Sequence, residues 1–152
     1  MLESGLTEYR STGATVWVPM YSSYLADAYA ELGHLDDARR YIEEALTAVE
    51  LTGERWWQAE AHRVAGELVL KSPERDTVKA EVSLSRALAV SRHQQAKSWE
   101  LRAAMSLARL WRHQGKTVEA RELLAPVYGW FTAGFDTRDL TEAKALLEEL
   151  AA

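Results

Sequence analysis

The chain has 152 residues, of which 47% are hydrophobic and 27% charged, and its formal net charge is −5. A domain of this length buries enough surface to fold without disulfides or metals. The chain contains no cysteine, which excludes disulfides, thiolate metal sites and cysteine nucleophiles. The acidic balance argues against nucleic-acid binding, because such binding normally needs a basic face.

The first element, residues 1–13, has the spacing of a helix end. Leu2, Gly5 and Leu6 repeat the spacing that ends the second helix of each later repeat. We interpret this segment as the tail of a preceding repeat, so the sequence is expected to be the end of a longer protein. Its apolar residues Leu2, Leu6 and Tyr9 would then form an open face.

Three segments follow, over residues 14–53, 54–95 and 96–135, and each has the apolar period of two helices. The first reads Leu25-Ala26-x-x-Tyr29-x-x-x-Gly33-x-x-x-x-Ala38, and the third has the same spacing in Leu107-Ala108-x-x-Trp111-x-x-x-Gly115-x-x-x-x-Ala120. The middle segment keeps Ala65-Gly66-x-x-Val69 and then has a loop two residues longer. The small residues at positions 26, 66 and 108 predict close helix crossings.

Trp17, Trp57 and Trp99 stand eight residues before Leu25, Ala65 and Leu107, which share one position of the repeat. We interpret the three tryptophans as wedges between repeats, with stacking on a ligand as the alternative. Thr12-Gly13 and Thr52-Gly53 predict helix ends in which glycine adopts the left-handed conformation. Pro126 predicts a kink in the second helix of the last repeat, near Glu122–Pro126.

Residues 136–152 close the array as a capping helix, from about Arg138 to Leu150. The small residue of the repeat is replaced here by Glu148, and the tryptophan by Asp139. A polar replacement of the packing positions is expected in a solvated terminal cap.

The spacing resembles that of the tetratricopeptide (TPR) family, although the period is about 40 residues rather than the 34 of the standard repeat. The resemblance implies an all-α protein of about seven helices, arranged as a right-handed superhelix of TPR-like hairpins. Residues 52–68 and 124–150 also look like the C-terminal repeat region of large bacterial signalling proteins. Those proteins join an ATPase module, often with a nucleotide-cyclase or DNA-binding domain, to TPR-like repeats. This likeness implies a sensor or scaffold segment in signalling or transcription regulation.

In the TPR family the concave surface is formed by the first helix of each pair. Its positions in this sequence are Met20, Ser23, Asp27, Ala30, Glu31, Glu60, Arg63, Glu67, Leu70, Lys71, Arg102, Met105, Arg109, Arg112 and His113. Trp56 lies outside the repeated tryptophan position, and an exposed aromatic there would indicate a contact surface. The candidate partner-binding residues are therefore Arg63, Glu67, Arg102, Met105, Arg109, Arg112 and Trp56.

Three functions remain open for this surface and the chain ends. The expected function is recognition of a protein, a peptide or another domain of the same polypeptide. Arg102, Arg109 and Arg112 share one helix face and could instead bind a small anionic effector, unless Glu60 and Glu67 neutralise them as a ladder. The third is a structural module that forms a homodimer through Leu2, Leu6 and Tyr9.

No catalytic constellation is present in the sequence. Glu31-x-x-His34 occurs once and ends in a turn, whereas di-iron bundles use this motif twice with further carboxylates. There is no phosphate-binding glycine loop. Residues 1–5 do not have the pattern of a signal peptide, so none is expected, and no apolar run is long enough to span a bilayer. We therefore expect a cytoplasmic, non-enzymatic protein with no cofactor, metal, nucleic-acid or membrane partner.

Overall fold

The computed structural model describes residues 2–11 and 17–152. All regular structure in these two ranges is helical, which confirms the all-α prediction. They contain eight α-helices rather than about seven, because the tail and the cap each form a complete helix. The helices are α1 Leu2–Ser11, α2 Val18–Glu31, α3 Leu35–Thr52, α4 Gln58–Lys71, α5 Thr77–His93, α6 Lys97–His113, α7 Thr117–Gly129 and α8 Arg138–Ala151, with a 3-10 turn at Arg55–Trp57.

The helices pack in two layers. The closest pairs are α2 with α3, α4 with α5, and α6 with α7, and a short turn joins the two members of each pair. The first members also contact one another in chain order, so that α2, α4, α6 and α8 form a continuous first-helix layer. Among the described residues, α3, α5 and α7 are not in extensive contact with one another. The handedness of the stack stays a prediction.

The small residues of the repeat lie at helix crossings, as predicted. Ala26 and Ala108 are fully buried, and so are the small residues Ala38, Ala80 and Ala120 on the second helices. Gly66 marks a close approach of α4 and α5, because a Cβ added there would lie 2.8 Å from Leu84 Cγ. Close packing of this kind needs residues of low bulk on the facing helix.

Two hydrophobic clusters form the core. One cluster contains residues of the four helices from α1 through α4. The other contains residues of the four helices from α5 through α8 and includes Leu140, Leu146 and Leu150 of the capping helix. The capping helix is therefore apolar on its inner side and polar outside, where Glu148 is exposed. α8 ends within a residue of the predicted boundary.

The predicted open face on α1 is wrong at Leu6. This side chain is only 2% exposed and belongs to the core cluster of α1 to α4. The side chains of Leu2 and Tyr9 lie outside the described residues. Glu3 fixes the same helix, since its carboxylate accepts hydrogen bonds from the Tyr29 and Tyr41 hydroxyls at 2.9 and 2.7 Å. Docking of α1 therefore uses Leu6, one of the three residues that a homodimer was expected to share.

Two local predictions can be compared with the helix ends. Gly53 ends α3 with φ 69° and donates its N–H to the Val49 carbonyl at 3.1 Å, as the left-handed cap requires. The corresponding Thr12-Gly13 end lies outside the described residues. Pro126 lies inside α7, which continues to Gly129, and the kink stays a prediction.

Candidate interaction surface

A charged groove crosses the first-helix layer, and its volume is about 340 Å³. We call it the inner groove. It is lined by Asp27, Arg63, Glu67, Lys71, Arg102, Met105, Ser106, Arg109, Arg138, Asp139 and Glu142. The groove thus brings together five of the seven candidate residues that the sequence indicated. Arg112 and Trp56 do not line it.

A buried carboxylate lies beside two arginines that line the groove. Glu60 is 4% exposed, and its oxygens accept hydrogen bonds from Arg63 Nη2 at 2.7 Å and Arg63 Nε at 3.0 Å. The same carboxylate pairs with Arg102 Nη1 at 2.6 Å. Burial is the largest single influence on the pKa of Arg63 and would lower it, but the hydrogen bond to Glu60 and the negative charges of Glu60, Glu67 and Asp27 together raise that pKa. A buried charge is tolerated because it is fully paired.

The three arginines of α6 are all paired. Besides Glu60, Arg102 lies 3.9 Å from Asp139, and Arg109 lies 3.3 Å from Glu142. Arg112 pairs with Glu149. Sequence reasoning proposed partners on α4, where Glu67 instead lies 4.0 Å from Arg63. The additional partners are Asp139, Glu142 and Glu149 of α8. Their spacing of i, i+3 and i+10 places them on one helix face, and this spacing in the sequence could have identified them.

An ion pair also joins α2 to α4. Lys71 Nζ donates to Glu31 at 2.8 Å, and this hydrogen bond lowers the pKa of the Glu31 carboxyl. Ion pairs therefore connect all four helices of the first-helix layer. Most of them are solvent-exposed, so each contributes little to stability, whereas the pair at Glu60 is buried.

An aromatic cluster adjoins the N-terminal ends of α2, α4 and α6. The Trp57 ring makes edge contacts with Tyr24, Trp56 and Trp99 at centroid distances of 5.4–5.7 Å. The contact between Trp57 and Trp99 crosses the boundary between repeats, where the wedge interpretation places it. Trp56 is half-buried, with its ring 5.1 Å from Trp17, so it does not meet the condition of exposure set for a contact surface.

Across residues 2–11 and 17–152, no three His, Asp or Glu side chains form a group that could hold a metal ion. None of the described helices is both long enough and apolar enough to cross a membrane. Neither the known protein families nor the curated proteins include a match to this sequence.

Proposed function

We propose that this chain is a non-enzymatic, TPR-like interaction module that binds a protein segment in the inner groove. The segment belongs to a separate protein or to another domain of the same polypeptide. The observation that carries the proposal is the groove itself, which crosses all four helices of the first-helix layer and presents side chains of both charges. The resemblance to repeat regions of bacterial signalling proteins supports a place in a larger, cytoplasmic regulator. The TPR-like spacing also implies that the helix pairs form a right-handed superhelix.

The charge balance of the groove favours a polypeptide over a simple anion. Five basic and four acidic side chains line it. Complementary charges of both signs specify register and partner choice, and they accelerate association. An anionic effector would have to displace carboxylates that already pair with Arg102, Arg109 and Arg112. The effector-sensor hypothesis therefore has less support, and burial of Leu6 removes part of the oligomerisation face.

Selection from a random peptide library tests the proposal. Peptides enriched on the purified chain would be labelled and measured by fluorescence polarisation. We expect binding that weakens steeply with salt and falls about tenfold or more in Arg109→Glu. Arg121→Glu on the exposed face of α7 is the matched control and should bind normally.

Equal binding by wild type and Arg109→Glu would contradict the proposal. A thermal shift with inorganic phosphate measures the effector alternative in the same proteins. Stabilisation of wild type by phosphate, with loss of that stabilisation in Arg109→Glu, would favour the anion sensor instead.

A further inference from the structure

A second groove lies in the other layer, between α3 and α5, with α4 as its floor. We call it the α3–α5 slot. Its larger part, about 660 Å³, includes Ile42, Leu46, Ala65, Leu68 and Val69 as apolar lining. A smaller cavity of about 300 Å³ shares Leu46 and continues to Leu51. The lining on α3 runs from Arg39 to Leu51, which corresponds to about 18 Å of helix.

The slot is open because one aromatic position of the repeat is occupied by valine. In the first repeat, Tyr29 stacks on Tyr41 of α3 at 5.5 Å and donates a hydrogen bond to Glu3 of α1. In the third, Trp111 Nε1 donates to Glu81 of α5 at 3.0 Å. Val69 has the same place on α4 and lines the slot. Large rings thus occupy the neighbouring positions, whereas the smaller Val69 leaves the space between α3 and α5 unfilled.

Four side chains without an ion pair among the described residues give the two walls opposite charges. The other charged lining residues are engaged at one end of the slot, where Arg39 of α3 pairs with Glu74 at 3.7 Å and the Asp76 carboxylate accepts the Lys79 N–H at 3.0 Å. Glu43 and Glu50 lie two turns apart on α3, and Lys79 and Arg86 lie two turns apart on α5. Glu43 and Lys79 line the larger cavity, while Glu50 and Arg86 line the smaller one. All four side chains are exposed, and none forms an ion pair within the described part of the chain. The arginines of the inner groove, in contrast, are paired.

We propose that the α3–α5 slot binds an amphipathic helix of a partner protein. A helix of about 12 residues matches the slot length. An aromatic or leucine side chain of that helix would lie over Val69, on the apolar floor. Basic residues on one flank would face Glu43 and Glu50, and acidic residues on the other would face Lys79 and Arg86. The slot is a surface separate from the inner groove, so this inference goes beyond the proposed function.

A displayed library of helical peptides tests the inference. The library would have a helix-forming framework of about 14 residues, randomised along one face and both flanks, and selection would use the wild-type chain. We expect enriched peptides with an aromatic or leucine stripe, basic residues on one flank and acidic residues on the other. Their Kd, measured by fluorescence polarisation, should rise about tenfold or more in Val69→Trp, which fills the slot.

Two further variants show whether a loss of binding comes from misfolding and whether the peptides bind the slot rather than the inner groove. Glu43→Lys combined with Glu50→Lys changes only exposed residues, so it carries the test if Val69→Trp does not fold by circular dichroism. This double variant should also lose binding about tenfold. Arg109→Glu should bind the helical peptides normally, even if it fails to bind the peptides selected for the inner groove.

Three results would overturn the inference. The first is a library without enrichment over a blank surface. The second is enriched peptides that bind the slot variants as tightly as wild type, or that lose binding in Arg109→Glu. The third is a wild-type dimer in light scattering that Val69→Trp converts to a monomer, because the occupant would then be a second copy of this chain.

Discussion

Glu60 of α4 and Arg102 of α6 form an ion pair of 2.6 Å across the boundary between two helix pairs. The same carboxylate accepts two hydrogen bonds from Arg63, so one buried acid serves two guanidinium groups. The pair connects helices that short turns do not join. Its loss would leave the two cations Arg63 and Arg102 next to each other in the lining of the inner groove.

Removal of the Glu60 charge should destabilise the fold. We expect Glu60→Gln to lower the free energy of unfolding by about 3 kcal/mol, because it leaves Arg63, which is only partly exposed, without its principal partner. Glu142→Gln removes an acid from a more exposed pair and should cost less than about 1 kcal/mol. Urea denaturation of the two variants measures both effects. A Glu60→Gln variant as stable as wild type would show that this ion pair does not hold the layer together.

A methyl group at position 66 should be too large for the crossing of α4 and α5. The added Cβ would lie 2.8 Å from Leu84 Cγ and 3.2 Å from the Ala80 carbonyl oxygen. We expect a net loss of about 1–2 kcal/mol in Gly66→Ala, since overpacking exceeds the gain in helix propensity. Gly5→Ala is the matched control, because that position is helical and has open space around it. The control should be neutral or slightly stabilising in the same thermal unfolding measurement.

Ala108 should tolerate no larger side chain. It is fully buried on α6, at the equivalent of Gly66. We expect Ala108→Leu to cost about 1–3 kcal/mol by overpacking in chemical denaturation. Ala89→Leu on the exposed face of α5 provides the comparison and should change stability by less than about 0.5 kcal/mol. If the two variants unfold at the same denaturant concentration, the alignment of the repeats at position 108 is wrong.

His62 should make stability depend on pH near neutrality. Burial lowers the pKa of His62 below its ordinary value of 6.5, Arg86 of α5 lowers it further, and Glu50 of α3 opposes the change. The unfolded chain therefore takes up a proton at higher pH than the folded protein does. Stability should be complete above about pH 7 and decline as the pH falls through 6.5 towards the lower folded-state pKa.

Thermal unfolding between about pH 5.5 and 7.5 checks this effect. His62→Gln keeps a polar side chain of similar length but does not titrate, so its midpoint should vary less with pH in this range. Identical pH profiles for the variant and wild type would exclude His62 as the source. The lowered pKa of Glu3 also makes the fold less stable in acid, but only as the pH falls below the ordinary carboxyl value of 4.5.

Local sequence patterns predicted most of the helices. Three of their ends could be assigned in advance, because Gly53 needs a left-handed conformation and the turns at Gly33 and Gly115 follow repeated spacings. The positions of close packing could also be predicted, since only small residues fit where helices cross. The exposure of Leu6 was predicted incorrectly, because its burial depends on contacts with helices remote in sequence.

The arrangement of charges was less predictable than the helices. The sequence showed that Arg102, Arg109 and Arg112 share a face, but it did not show that α8 supplies the acids opposite them. Ion pairing depends on how helices far apart in the chain align, and distances of a few ångströms decide whether an arginine is open or occupied. Trp56 illustrates the same limit, since its partial burial depends on the placement of Trp17.

The sequence by itself determined the helical class, the repeat and the residues at the crossings, because these follow from periodicity and side-chain volume along single helices. Only the tertiary structure decided which surfaces are open. It placed paired charges across the inner groove and left the α3–α5 slot unfilled beside Val69. Both outcomes depend on the relative positions of helices in different pairs, which no local pattern of residues specifies.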